Sequence, residues 1–209
     1  MSVIALPTGL MIGAFSMGQK RFDLTEVSDS GGSTAARLLG PPRWVAGLSS
    51  PQGGIDLAAA SLWEALVLQL RGQVNHLALY DLVRVAPRGT CRGTMTLNAL
   101  AAQGATSIVI AVTGQNGLKL LTGDWLQIGS GTGGQLVKVM ADATANAATI
   151  TVTIEPPIRP AAGFAGGTAV TWDKALGHYK MVSEAPTWTY DAGNLAVSGF
   201  AIDLLEQWT

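Results

Sequence analysis

The chain has 209 residues, of which 48% are apolar, only 13% are charged and 26 are glycine. Charged residues make up about a quarter of an ordinary soluble domain, so this composition predicts that part of the surface is buried by self-assembly. Thirteen basic and fourteen acidic side chains give a net charge of −1, which argues against a protein that wraps nucleic acid or binds an anionic membrane.

The first nineteen residues contain no charged side chain, and this run invites comparison with a signal peptide or a membrane span. Pro7, Gly9 and Gly13 interrupt the run, and no basic residue precedes it. The single cysteine, Cys91, cannot form an internal disulfide, so the fold does not depend on an oxidising compartment. The sequence therefore predicts a soluble protein without a visible export signal, made in the cytoplasm.

The N-terminal part shows two strand patterns, Leu10 to Leu24 and Leu38 to Leu48, separated by a loop that is rich in glycine and serine at 29–33. A helix pattern follows. Asp56 is a suitable N-cap residue for a helix over 57–71, in which leucines recur at an interval of four residues, and Gly72 is a suitable stop.

A strand pattern from His76 to Val85 leads into a loop that contains Pro87 and three arginines. From residue 94 to 172 the composition changes to Thr, Ala, Val, Ile and Gly. Five short strand patterns separated by glycine-rich turns predict a small β-barrel or sandwich there. They are Ser107 to Val112, Asp124 to Ile128, Gln135 to Met140, Thr149 to Ile154 and Thr168 to Trp172.

The last segment contains three more strand patterns, of which the longest runs from Leu195 to Leu205. We therefore predict a mainly β protein with one helix. Residues 1–93 and 173–209 form a β-rich core, a split barrel or sandwich, and residues 94–172 form a small β-barrel that is inserted into it.

Gly129 to Gly134 matches the glycine spacing of a dinucleotide-binding turn and follows a predicted strand. Such a site needs a helix after the glycines, because the helix N-terminus binds the pyrophosphate. The next residues, Gln135 to Val139, alternate as a strand instead. We therefore interpret the glycines as a wide hairpin turn.

The sequence contains few residues that could act as a nucleophile, a base or a metal ligand. Cys91, His76 and Asp81 could be written as a nucleophile, a base and an acid, but we interpret Cys91 as an ordinary thiol in an arginine-rich loop. The two histidines and one cysteine are too few for a closed zinc site. The prediction is that the protein is not an enzyme and has no catalytic, cofactor-binding or metal-binding residues.

The remaining distinctive residues are predicted to lie at subunit interfaces. Arg84, Arg88 and Arg92 recur every four residues, but Pro87 and Gly89 prevent one continuous helix, so a rim or interface loop is predicted. Among six tryptophans, Trp63, Trp125 and Trp172 are predicted to fill cores. Trp44, Trp188 and Trp208 lie near predicted strand ends, where an indole commonly anchors an interface, and Trp44 and Trp208 are the predicted interface residues.

Several short motifs occur in an order that is typical of one group of proteins. In chain order they are Leu6-Pro7-x-Gly9-Leu10, Pro42-x-Trp44, Leu62 to Leu66 with Leu70 to Gln73, His76 to Tyr80, Leu121 to Gly129, Gln135 to Val139 and Ile154 to Arg159. In this order the chain resembles, over nearly its whole length, small tail proteins of long-tailed (siphophage-type) bacteriophages. The role that fits best is that of the distal tail protein family.

The resemblance implies a structural protein of the virion tail, with a core of strands and one helix related to the tail-tube fold. It implies a ring, usually of six copies, that joins the tail tube to the tail tip or baseplate hub. DNA would pass through the lumen without sequence-specific binding. The implied partners are other copies of the chain, the tail tube protein and the tip or hub protein, with the tape measure protein as a further candidate.

In many distal tail proteins the extra domain is C-terminal, whereas here the barrel is inserted before the closing strands. The alternative is a host-surface carbohydrate-binding module of a phage tail, in which the barrel binds a sugar through Trp125, Trp172 or nearby turns.

Overall fold

A computed structural model describes residues 1–27, 34–182 and 186–207. Within them the chain is mainly β, with a single α-helix, α1 (Leu57–Leu70), as predicted. The strands are β1 (Val3–Ala5), β2 (Ala14–Val27), β3 (Thr34–Ser49), β4 (Ile55–Asp56), β5 (His76–Leu79), β6 (Met95–Leu97), β7 (Ser107–Ala111), β8 (Lys119–Leu120), β9 (Trp125–Ile128), β10 (Gln135–Val139), β11 (Ala143–Thr144), β12 (Thr149–Glu155), β13 (Ala169–Thr171), β14 (Gly177–Met181), β15 (Thr189–Asp191), β16 (Ala196–Ser198) and β17 (Ala201–Glu206).

Six strands form an open sheet in the order β1-β5-β14-β17-β3-β2. β1 runs parallel to β5, and the other neighbours are antiparallel. β17, which comes last in sequence among the described strands, therefore lies in the middle of the sheet, between β14 and β3. The two edges are β1 and β2.

β2 and β3 form a long hairpin whose register shifts on either side of Phe22. Pro41 and Pro42 of β3 lie across from this register shift. Proline cannot donate a backbone hydrogen bond, so strand prolines are found at sheet edges and irregularities such as this one. The predicted connecting loop at 29–33 lies outside the described residues.

The helix begins where the sequence predicts. The Asp56 carboxylate accepts the N–H of Ala59 at 2.7 Å, as an N-cap residue does. The helix ends at Leu70 because Arg71 adopts a left-handed conformation with φ of 49°, and Gly72 follows with φ of 63°. Its buried side chains, which include Trp63 and Leu66, pack against the six-stranded sheet.

The inserted segment folds into a closed six-stranded barrel in the order β10-β12-β7-β6-β13-β9. Along β12, Ile150, Val152 and Ile154 are buried and the threonines between them are outside, which is the expected alternation. The predicted number of five strands is wrong, because the three-residue strand β6 closes the barrel between β7 and β13. The glycines before Gln135 form the predicted hairpin turn between antiparallel strands β9 and β10.

Two further expectations need correction, and a third is not confirmed. The single strand predicted from Leu195 to Leu205 is two strands, because Gly199 has a φ of 84° and breaks the run. β16 instead joins a three-stranded sheet, β15-β16-β4. The strand predicted from His76 to Val85 ends at Leu79, because the Asp81 carboxylate accepts two backbone N–H groups and forms a turn. A sandwich of two large sheets is not confirmed.

The sheet pairings divide most of the described strands into two groups. The six barrel strands lie within 95–171, and those of the open sheet come from segments on either side. Each part has its own buried apolar cluster. The boundaries at residues 93 and 173 stay a prediction. In the part of the chain that the structure describes, no helix has the length and apolar character needed to cross a membrane.

Candidate assembly surfaces

The open sheet has an inner face that two elements cover. Ala46 and Leu48 of β3 belong to the same buried cluster as the apolar face of α1. Further along β3, Trp44 lies against the barrel, where its Nε1–H donates to the carbonyl of Leu136 at 2.9 Å. The Trp44 and Trp125 rings meet edge to face, with centroids 4.7 Å apart. The helix thus covers one part of the inner face and the barrel covers another.

A buried ion pair crosses the same junction between sheet and barrel. Arg159 Nη2 lies 3.4 Å from Glu206 Oε1, and Glu206 Oε2 accepts the backbone N–H of Trp44 at 3.1 Å. Burial raises the pKa of Glu206, and the nearby Arg159 guanidinium opposes this shift. Burial also raises the pKa of Tyr179 well above its ordinary value. These groups fix how the barrel sits on the sheet.

The three predicted interface arginines lie in one loop, as expected, but their contacts differ. Arg84 is paired with Asp81 at 3.3 Å and remains 45% exposed. Arg88 is exposed, and its Nη2–H donates to the carbonyl of Thr122 at 2.7 Å. Arg92 is half-buried and holds the loop together by donating to the carbonyls of Pro87, Gly89 and Cys91. Its guanidinium also lies 5.0 Å from the centre of the Trp172 ring.

Of the two tryptophans predicted to lie at interfaces, the structure describes only Trp44. Trp44 is 6% exposed and lies at the internal contact between sheet and barrel. Trp208 lies outside the described residues. A contact with another subunit stays a prediction for the three arginines and for these tryptophans.

The outer face of the open sheet lies opposite the face that α1 and the barrel cover. It bears more directly on assembly than the arginine loop does. It carries Val45 and Gly47 from β3 and Leu205 from β17, all half-buried, with exposed Ser16 and Asp203 beside them. Two shallow depressions of about 460 and 230 Å³ lie on this face. An antiparallel sheet with one face in water normally places polar side chains there. Here Val45, Gly47 and Leu205 form a small apolar area on the outer face, which also carries the charged side chains of Lys20, Lys180 and Asp203.

The two edge strands are unpaired on one side among the described residues. β2 is 14 residues long, and its first six residues, Ala14 to Gln19, carry no charge. Free backbone N–H and C=O groups on an uncharged edge segment can pair with another chain, whereas the rest of β2 carries Lys20, Arg21, Asp23 and Glu26, which oppose such pairing. This edge and the outer face are the surfaces that sequence reasoning missed. The alternation of small residues in β2 and β3 was the signal that could have indicated the outer face.

Cys91 and His76, which the sequence could place together as nucleophile and base, lie in different parts of the fold. Cys91 is fully buried in the barrel core, where burial raises the pKa of its thiol, whereas His76 lies in the open sheet. Burial lowers the pKa of both His76 and His178. Among the residues that the structure describes, no three His, Cys, Asp or Glu side chains are grouped as a metal site requires.

Two of the tryptophans predicted to fill cores, Trp63 and Trp125, are buried, which confirms the prediction for them. Trp172 is partly buried against the barrel core. The Trp125 Nε1–H donates to Asp81 at 2.8 Å, and its ring is only 5% exposed, so it offers no face to a sugar in this structure. Carbohydrate binding by the barrel stays a prediction that depends on Trp172 and the turns.

Comparison with known proteins does not identify a family for this chain. No protein-family model matches the chain. No curated protein is similar to it at a significant level.

Proposed function

We propose that this protein is a non-enzymatic structural component of a phage tail, similar in role to a distal tail protein. In this proposal, copies of the chain form a closed ring that joins the tail tube to the tail tip or baseplate hub. DNA passes through the lumen without sequence-specific contacts. The tail tube protein and the tip or hub protein are the proposed partners, with the tape measure protein as a further one.

One observation carries the self-assembly part of this proposal: the outer face of the open sheet has a small apolar area at Val45, Gly47 and Leu205, and no element covers it among the described residues. Burying apolar surface contributes about 25 cal/mol per Å². The neighbouring edge strand β2 also leaves its backbone groups unpaired on one side. Association with other copies would bury this apolar area and pair the edge, and ring closure would leave no free edge.

The assignment to a tail, rather than to another assembly, is supported by the order of the sequence motifs. The mainly β fold with one helix agrees with what that resemblance implies. The barrel, held rigidly against the sheet by Trp44 and Arg159, would then be a fixed part of the ring rather than a hinged module.

The test is the native mass of the full chain across a concentration series, followed by electron microscopy of the largest stable species. A discrete closed oligomer with a central opening is expected. A monomer at all concentrations, or an open-ended polymer, would contradict the proposal.

A matched pair of variants links the oligomer to the outer face. Val45→Asp places a charge on that face, whereas Val109→Asp places the same charge on an outward position of barrel strand β7, where Val109 is 36% exposed. We expect Val45→Asp to lose the oligomer and Val109→Asp to keep it. Circular dichroism of both variants controls for folding.

A further inference from the structure

His76 is a buried side chain that makes no hydrogen bond through its ring. It is 0% exposed, and neither ring nitrogen has a hydrogen-bond partner in the part of the chain that the structure describes. A neutral imidazole carries one donor and one acceptor nitrogen, and it is unfavourable to bury both of them unpaired. The sheet therefore holds a titratable group that would be more favourably placed in water.

The pairing of β5 with β14 determines which side chains lie beside His76. His178 pairs with Ala78 in an antiparallel register, so Lys180 lies directly across from His76. Paired side chains point to the same face of a sheet, and alternate residues of a strand share that face. The Lys180 and His178 side chains therefore lie on the same face as the His76 ring. Leu77, the next residue of β5, points the other way, into the core that the sheet shares with α1.

The charged groups that act on His76 are cations. Burial lowers the pKa of His76 most, and the Lys180 ammonium of β14 and the amino group of Met1 lower it further. His178 is the other titratable group beside it, and His76 in turn lowers the pKa of His178. Val3, which pairs with His76 from the β1 side, carries no charge. A proton on the buried ring would therefore add a charge beside cations, with no carboxylate among these groups to balance it.

β1 is the weakly attached neighbour of His76. It is three residues long, two of its side chains are exposed, and as an edge strand it pairs with β5 alone, from Val3 to Ala5. Next to this pairing, the His76 N–H donates to the Ser2 carbonyl at 3.0 Å, and the Ser2 N–H donates to Asn75 Oδ1 at 2.9 Å. Short edge segments with few buried contacts open locally at a lower free energy than the core of a sheet.

β14, the neighbour on the other side of β5, is held along both of its edges. It pairs with β5 and with β17, and its Tyr179 and Met181 side chains are buried in the core. Its displacement would open the middle of the sheet, whereas the loss of β1 leaves the other five strands paired in the same order. Release of β1 is therefore the smallest opening of the sheet beside the His76 ring.

We infer that the attachment of β1 to β5 is a pH-sensitive switch: protonation of His76 releases β1, while the rest of the sheet and the barrel stay folded. Release leaves the backbone groups of His76–Leu79 unpaired along one side of β5, so the sheet gains a new edge. This inference goes beyond the proposed function and holds whether or not the chain forms a ring.

The direction and the size of the response follow from the two protonation equilibria. With β1 released, His76 has its ordinary pKa of 6.5, whereas in the closed form its pKa is lower. The open form therefore binds more protons, and its population rises as the pH falls below 6.5. From pH 7.5 to pH 5.5 the ratio of open to closed molecules should rise several-fold, up to about tenfold.

Hydrogen–deuterium exchange of the full chain, measured by mass spectrometry, reports on this opening. The exchange rate of segment 1–6, divided by the intrinsic chemical rate at each pH, gives the open fraction of β1. Segment 177–182 reports on β14 in the middle of the same sheet. From pH 7.5 to pH 5.5 we expect the corrected rate of segment 1–6 to rise up to about tenfold and that of segment 177–182 to change by less than about twofold.

Two histidine variants assign the response to one ring. His76→Leu replaces the titrating ring by an apolar side chain in the same buried position, so the response of segment 1–6 should disappear. His178→Leu removes the neighbouring ring, which stays in the sheet when β1 leaves, and should keep the response. Circular dichroism verifies that both variants are folded.

A lysine variant tests the same switch without changing His76. Lys180→Met removes a cation from beside the ring, which brings the closed-form pKa of His76 nearer to its ordinary value and should reduce the response of segment 1–6. Lys20→Met is the matched control, because Lys20 lies in β2 at the opposite edge of the same sheet. It should respond like the wild type, and equal responses of the two lysine variants would contradict the inference.

Three further results would overturn the inference. The first is a corrected exchange rate of segment 1–6 that does not change with pH. The second is a response that survives in His76→Leu or disappears in His178→Leu. The third is an equal rise in segments 1–6 and 177–182, which would mean that the whole sheet opens rather than β1 alone.

Discussion

Arg159 of the barrel and Glu206 of the open sheet form an ion pair at 3.4 Å with side chains that are only 3% and 2% exposed. Their positions in the sequence are 47 residues apart, on either side of the second connection between the two parts of the chain. A buried pair of this kind is strongly sensitive to the loss of one partner, because the remaining charge stays in a poorly solvated environment. It is therefore a sensitive probe of the junction.

Arg159→Met should lower the free energy of unfolding by about 3–5 kcal/mol. The double variant Arg159→Met with Glu206→Leu should recover much of this loss, since neither charge then remains. The control is Arg21→Met, which breaks the ion pair with Glu155 at 3.0 Å, where the Arg21 side chain is 56% exposed. That change should cost about 1 kcal/mol or less. Urea unfolding measures all three, and equal losses for Arg159→Met and Arg21→Met would contradict this account.

The Trp44 indole is the second link across the junction. Trp44→Phe removes the hydrogen bond to the Leu136 carbonyl and leaves that buried acceptor unsatisfied, so a loss of about 1–3 kcal/mol is expected. Trp172→Phe is the matched control, because Trp172 donates to the Gly93 carbonyl at 2.8 Å in a solvent-exposed position. Water can replace that donor. The prediction fails if the two changes have the same effect on thermal unfolding.

The sequence predicts one interface role for Arg84, Arg88 and Arg92. Their contacts in the structure indicate a structural role for Arg92 and leave the interface role to Arg84 and Arg88. Because Arg92 donates to three backbone carbonyls, Arg92→Ala should destabilise the loop by about 1–3 kcal/mol, as measured by urea unfolding. Arg84→Ala with Arg88→Ala removes more exposed side chains. This pair should weaken ring or tail assembly with little change in stability, and unchanged assembly would contradict the predicted interface role.

The buried histidines predict a dependence of stability on pH. Burial lowers the pKa of both, and Lys180 lowers that of His76 further. The unfolded chain, with an ordinary pKa of 6.5, therefore binds protons at a pH where the folded protein does not. Stability from this source is complete above pH 6.5 and falls as the pH decreases below it.

The double variant His76→Leu and His178→Leu isolates this contribution from that of Glu206, whose raised pKa acts in the opposite direction. Urea unfolding of both proteins between pH 5 and 8 should give a difference in unfolding free energy that changes with pH. A difference that stays constant across this range would show that the histidines do not titrate as proposed.

Local signals in the sequence were sufficient for the helix and most of the barrel. Asp56, the leucine spacing and Gly72 define α1 because capping and periodicity act within a few residues. The sixth barrel strand, Met95–Leu97, was missed because three residues are too few to show alternation. The break at Gly199 was missed because the apolar alternation continues on both sides of it.

The candidate surfaces were harder to predict. Arg159 and Glu206 look like ordinary surface charges until the fold brings them together. Whether Val45 faces a core or solvent depends on which strands lie beside β3 and what packs on them, and this is a property of the tertiary fold. Trp188 and Tyr190 are two positions apart in sequence, but only the tertiary fold brings the helix residue Glu64 within hydrogen-bonding distance of the Tyr190 hydroxyl.

The position of β17 has a consequence for synthesis of the protein. The strands are translated from β1 to β17, yet the strand that joins the two halves of the open sheet, Ala201–Glu206, is translated after all the others described here. Until it emerges from the ribosome, the β2–β3 hairpin and the β1-β5-β14 group each expose an unpaired edge. The barrel can close earlier, because its strands are contiguous in sequence. Completion of the sheet therefore waits for β17, and a nascent chain stalled before residue 201 would hold a folded barrel between two unjoined pieces of sheet.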